Sequence, residues 1–180
     1  NQFRFYVSLP TAGYGHDMAQ WHGTIPDGWA HFPLLESQRS RVFTGSAESF
    51  AYNHHQSICK FRDRYVVAWS CAPLHEDSPG QEVHCSWSLD AETWSADRVI
   101  VATDSASGVV RNQAGLYAAP DYIYCFVGYT EPHATEQPGM TSVVSRDMRL
   151  DVYRSSDLET WEGFQGIAEQ VYLFEGPRPT

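Results

Sequence analysis

Two adjacent histidines, His54 and His55, open the strand-like stretch HQSICKF at residues 55–61, and a third, His75, lies in the loop APLHEDSPGQ at residues 72–81. Imidazole titrates near neutrality, so such rings can take or give a proton at physiological pH. In VVRNQAG at residues 109–115, Arg111 and Asn112 stand before a second strand-like run. A guanidinium fork fits a carboxylate, and an amide beside it adds a hydrogen bond. His55, His75 and Arg111 are therefore candidates to hold an anionic substrate and move a proton on it. Three imidazoles could also hold zinc. The strict ligand spacings are absent, however, and the expectation is no metal and no cofactor.

Neighbouring residues on a strand point to opposite faces, so one of His54 and His55 is expected to face a site while the other packs or caps. His55 is the expected site residue, because it opens the strand. Arg111 has a structural alternative, an ion pair with an acidic neighbour such as Asp104.

The elements that must carry these residues read as strands. FRFYVSL (3–9) alternates with aromatics. HQSICKF (55–61) and RYVVAWSC (64–71) flank an Arg62-Asp63 turn, and EVHCSWSL (82–89) follows a Gly/Pro loop. GLYAAPDYIYCFVGY (115–129) repeats strand, Pro-Asp turn and strand, and RLDVYRSS (149–156) is another strand. The chain has no clean helical stripe and reads as all-β and antiparallel.

The chain also repeats itself. SLDAETW starts at Ser88 and SSDLETW at Ser155, 67 residues later. Each copy follows a strand that lies downstream of a hairpin. The unit is four antiparallel strands, the make-up of a β-propeller blade. In each turn, Ser and Asp close the backbone with their own side chains, and the Trp is expected to fill the gap between neighbouring blades. Repeats span about 53–110 and 111–168, and a further blade is expected to start near 171. Residues 1–180 then form a single propeller domain of about three blades, part of a ring of about seven.

In such a ring the first strand of each blade lines the central channel. Blade one offers Asn53, His54, His55 and, from its loop, His75. Blade two offers Arg111, Asn112, Tyr129 and His133, and the third offers Glu175 and Arg178. Polar groups thus recur at equivalent positions, which core packing would not require.

Bulk properties narrow the partners. The chain has 180 residues and a formal charge of −10, with Lys60 as its one lysine. That balance argues against nucleic acid and anionic membrane surfaces. A start at Asn1 fits a processed, secreted chain, and a closed ring would be monomeric. Four cysteines, Cys59, Cys71, Cys85 and Cys125, show no metal spacing. Cys71 and Cys85 could pair across a hairpin, or all four could be buried thiols.

The two turns resemble the Asp-box, or BNR repeat, of sialidase-like propellers, each one residue shorter and with Glu92 or Glu159 in the middle. A sialidase would place an arginine at the first strand start, where this chain has YNHHQSI. The two-histidine spacing is similar to that of propeller polysaccharide lyases, including ulvan lyases and L-rhamnose-α-1,4-D-glucuronate lyases. The resemblance covers about residues 45–180. It implies an acidic polysaccharide substrate cleaved beside a glucuronate unit by β-elimination. His55 and His75 would be the acid and base, and Arg111 with Asn112 would neutralise the carboxylate. Asn53, His54, Tyr129, His133, Glu175 and Arg178 would bind the sugar. One rival is a glycoside hydrolase, with carboxylates drawn from Glu76, Asp77 and Glu175. The other is a non-catalytic glycan-binding propeller.

Overall fold

The computed structural model describes residues 39–131, 148–169 and 171, and these described residues belong to one compact unit. The strand expected at 3–9, His133, Glu175, Arg178 and the further blade expected near 171 lie outside the described residues, Val171 apart. Two four-stranded sheets account for the rest. The first runs β1 (Tyr52–Phe61), β2 (Arg64–Ala72), β3 (Glu82–Ser88) and β4 (Arg98–Val101). The second runs β5 (Val110–Ala118), β6 (Ile123–Thr130), β7 (Met148–Ser155) and β8 (Glu162–Glu169). Every neighbouring pair is antiparallel and consecutive in sequence. These are two consecutive blades of a propeller, with the first strands β1 and β5 side by side.

Strand β2, RYVVAWSCA, is buried from Val66 to Ala72. A strand covered on both faces reads as a continuous apolar run, which is what its sequence shows. One face, with Val66 and Ala68, joins Val83, Cys85, Leu116, Ile123, Cys125, Val127 and Tyr153 in the core between the sheets. The other face, with Val67, Trp69 and Cys71, packs against Val42, Phe43, Phe50 and Trp94. Cys71 and Cys85 therefore lie on opposite faces, and all four cysteines are free thiols. Burial pushes Cys71 and Cys85 up to about 12. Such thiols are inert.

The two rim turns have one construction. Ser88 Oγ donates to Asp90 Oδ1 (2.9 Å) and accepts from the Ala91 amide (2.9 Å), while Asp90 Oδ1 accepts from the Glu92 and Thr93 amides, both at 2.8 Å. Ser155 and Asp157 repeat the set with the amides of Leu158, Glu159 and Thr160. These backbone donors hold Asp90 and Asp157 down to about 2. Trp161 packs against the core between the sheets, as expected. Trp94 takes the matching place one blade earlier: it packs on the far face of β2, where Phe43 and Phe50 from the preceding stretch also pack, and its indole N–H donates to Ser40 Oγ (2.9 Å).

The residue after each turn Asp is left-handed, with φ 61° at Ala91 and 71° at Leu158. This conformation costs an L-residue about 1–2 kcal/mol, which glycine avoids. Leu158 has a reason to stay, since it is 1 % exposed and part of the core. Ala91 is half-buried and outside it. Ala91→Gly is therefore expected to raise stability by about 0.5–1 kcal/mol, after the greater freedom of glycine in the unfolded chain is subtracted. A urea midpoint that falls would overturn this.

Candidate functional site

The first strand of each blade carries a bulge. In β1 the register shifts between His54 and Ser57, and in β5 between Gln113 and Gly115. At the first bulge His55 adopts φ 53°, the left-handed region. Alternation then fails. Instead of pointing to opposite faces, the rings of His54 and His55 lie together, with centroids 4.1 Å apart. This corrects the expectation that one of the pair would be turned away. An inserted residue bends a strand and re-aims its side chains, and histidine enters the left-handed region more readily than most residues.

The loop after β2 supplies the groups that face the pair. Glu76 Oε1 lies 3.4 Å from His54 Nδ1 and 3.6 Å from His55 Nε2. His75 is exposed, and its Nδ1 bonds the backbone carbonyl of Glu76 (2.8 Å). The loop group brought to His55 is thus the neighbour of His75.

Gln81 organises the site, and its side chain is fully buried. Its Oε1 accepts from the Asp77 amide (3.0 Å). Its Nε2 donates to the Arg111 carbonyl (3.1 Å) and to Asn112 Oδ1. Asn112 Nδ2 in turn donates to Asp77 Oδ1 (3.3 Å). Since Gln81 Oε1 is an acceptor, the His54 Nε2 that meets it at 2.9 Å carries the proton. One amide therefore ties the loop of blade one to the first strand of blade two and fixes the His54 tautomer. Burial lowers the His55 pKa from its ordinary value, and the His54 ring lowers it further. Glu76, Asp77 and Asn112 act in the opposite sense.

Asn53 turns aside and donates to the Phe50 carbonyl (3.0 Å), closing the approach to β1. Arg111 does not bridge to Asp104, which caps a short turn by accepting from the Ala106 amide. Its guanidinium pairs with fully buried Asp151 (3.3 Å), donates to the Tyr153 hydroxyl and lies over the Tyr129 ring. Arg149 binds the same Asp151 (2.9 Å) and stacks on Tyr129 at 3.6 Å. Tyr129 donates to Glu131. Burial raises the pKa of both Tyr129 and Tyr153.

Of the expected residues, His54, His55 and Asn112 meet at one place. The backbone of Arg111 joins them through Gln81, while its side chain heads the neighbouring Tyr129 cluster. Sequence reasoning passed over Gln81, Arg149 and Asp151. The signal for the last two was present: charges at alternate positions of a strand, Arg149 and Asp151, share a face.

No family model matches the chain, and no curated protein does. Among solved structures it is similar to the Hadza microbial sialidase Hz136, with a TM-score of 0.52 and 14 % identity over 66 % of this chain and 26 % of that one. It is also similar to a Trypanosoma rangeli sialidase in complex with the inhibitor DANA, at TM-score 0.46 and 12 % identity over 63 % and 20 %. Another match is described as a sialidase, at TM-score 0.46 and 12 % identity over 61 % and 12 %. The chain thus spans about a quarter or less of the length of these proteins. The likeness to the first shows the fold: the described blades are those of a sialidase-like β-propeller.

Proposed function

We propose that the chain belongs to a carbohydrate-active enzyme that cleaves an acidic glycan at the mouth of the propeller. The observation that carries this reading is the pairing of two imidazoles beside Glu76, produced by the left-handed residue at His55. Breaking a glycosidic bond needs a proton acceptor and a proton donor at fixed places. A tightly tied pair of rings at the head of an inner strand meets that need better than it serves packing.

The first route is β-elimination. His55 takes the C5 proton of a glucuronate, the electron pair forms the C4–C5 double bond, and O4 leaves with the pair of its broken bond. Asn112, which meets His55 at the site, offers an amide to the carboxylate, while the Arg111 guanidinium is engaged with Asp151. The departing O4 takes its proton from a second group, which this route draws from the neighbouring cluster around Arg111 and Arg149. Tyr129, held protonated by burial and by Glu131, has the required state. The second route is hydrolysis. It is favoured by the sialidase-like fold and by the Tyr129–Glu131 pair between two arginines.

Incubation of the full chain with uronate-containing polysaccharides distinguishes them. Growth of the ultraviolet band of an unsaturated uronate is the expected result. New reducing ends without that band establish hydrolysis. Binding with neither product overturns the enzymatic reading in favour of a lectin.

A further inference from the structure

The sequence spacing suggested no metal site, yet the fold assembles one set of donors that neither route above requires as a set. One ligand atom each of His54, His55 and Glu76 lie within 4.8 Å of one another, and Glu76 Oε1 faces His54 Nδ1 and His55 Nε2. We propose that these three groups form a binding site for a divalent transition-metal ion of the zinc class. Two imidazoles and a carboxylate are a donor set such ions favour.

The tautomer of His54 is the main argument. Gln81 Oε1 accepts the Nε2 proton, so a neutral His54 presents a bare lone pair at Nδ1. That atom is buried, has no hydrogen-bond partner and faces a Glu76 oxygen 3.4 Å away. A lone pair set against a carboxylate is unfavourable, and either a proton on Nδ1 or a metal ion between the two relieves it. The spacing suits one. Ligand atoms about 2.1 Å from a tetrahedral zinc are about 3.4 Å apart, against 3.4 and 3.6 Å for the two imidazole–carboxylate distances.

The outer partners agree. A metal-bound histidine usually donates its other N–H to a fixed acceptor. Gln81 is such an acceptor for His54, held in turn by the Asp77 amide, the Arg111 carbonyl and Asn112. This binding does not depend on the reaction proposed above. Where both hold, the ion occupies the lone pairs that proton transfer needs, and zinc inhibits turnover.

The test uses the metal-stripped full chain without substrate. Zinc is titrated against a chromophoric chelator, and cobalt is followed by its visible absorption. The expected result is one high-affinity zinc per chain and a cobalt band characteristic of low coordination number. His54→Gln and Glu76→Gln are each expected to weaken zinc at least about 100-fold, beyond the about 10–100-fold lost with an outer partner. His75→Ala is expected to bind as the parent does. Glu76 is half exposed, so its substitution carries the test if His54→Gln fails to fold. Unchanged zinc affinity in Glu76→Gln, or no cobalt band in the parent chain, overturns the proposal.

Discussion

His84→Leu is expected to lower the unfolding free energy by about 3 kcal/mol, measured by urea denaturation of the full chain. His84 lies in β3 and is 3 % exposed. Its Nε2 meets Glu82 Oε1 at 2.7 Å and its Nδ1 meets Asp97 Oδ2 at 2.9 Å. The ring sits between the two carboxylates and ties β3 to the segment leading into β4. Phe43, Phe50 and Trp69 surround it. Leucine fills much of that apolar space. The loss arises because Glu82, itself mostly buried, is left with the Thr103 amide at 3.4 Å as its remaining partner. Removing one member of a buried ion pair costs about 3–5 kcal/mol, and the more open Asp97 places this case at the lower end. Glu82→Gln added to His84→Leu is then expected to recover about 1 kcal/mol or more, since the stranded charge is gone. A His84→Leu midpoint equal to that of the parent would show that the triad does not hold this edge of the blade.

His55→Asn is expected to reduce turnover by about 10²–10⁴-fold on whichever acidic glycan the chain cleaves, the usual scale of acid–base assistance. Asparagine is the informative replacement because it tolerates φ 53° and so preserves the bulge. It cannot titrate. The loss is expected in kcat, with the thermal midpoint within a few degrees of the parent. Loss of the fold together with activity would point to a structural role for the ring. Full activity with an intact fold would move proton transfer to the Tyr129–Glu131 pair, on the second route.

Much of the architecture was legible because it is local. Ser88, Asp90, Ser155 and Asp157 close their turns with neighbours two and three residues away. A fixed short spacing therefore announced both turns, and with them the repeat. The continuous apolar run of β2 and the alternation in β6 likewise report burial directly. The site was legible in part. His54, His55 and Asn112 stood out by type and position. The joint orientation of the two rings did not, because alternation along a strand is the default and a bulge with one left-handed residue breaks it. Arg111 stood out as well, and its structural alternative, an ion pair with an acidic neighbour, holds with Asp151 in place of Asp104, since Asp151 reaches it only through the pairing of β6 with β7.

The amino-acid sequence alone determined the strands, the rim turns and their repeat, because those rest on side chains bonding to backbone within a few residues. Tertiary structure decided what faces what. Gln81 joins blade one to blade two across 30 and 31 residues of chain. Glu76, rather than His75, meets the imidazoles. These contacts depend on backbone angles at a few residues and on the packing of two sheets, quantities that no local spacing encodes.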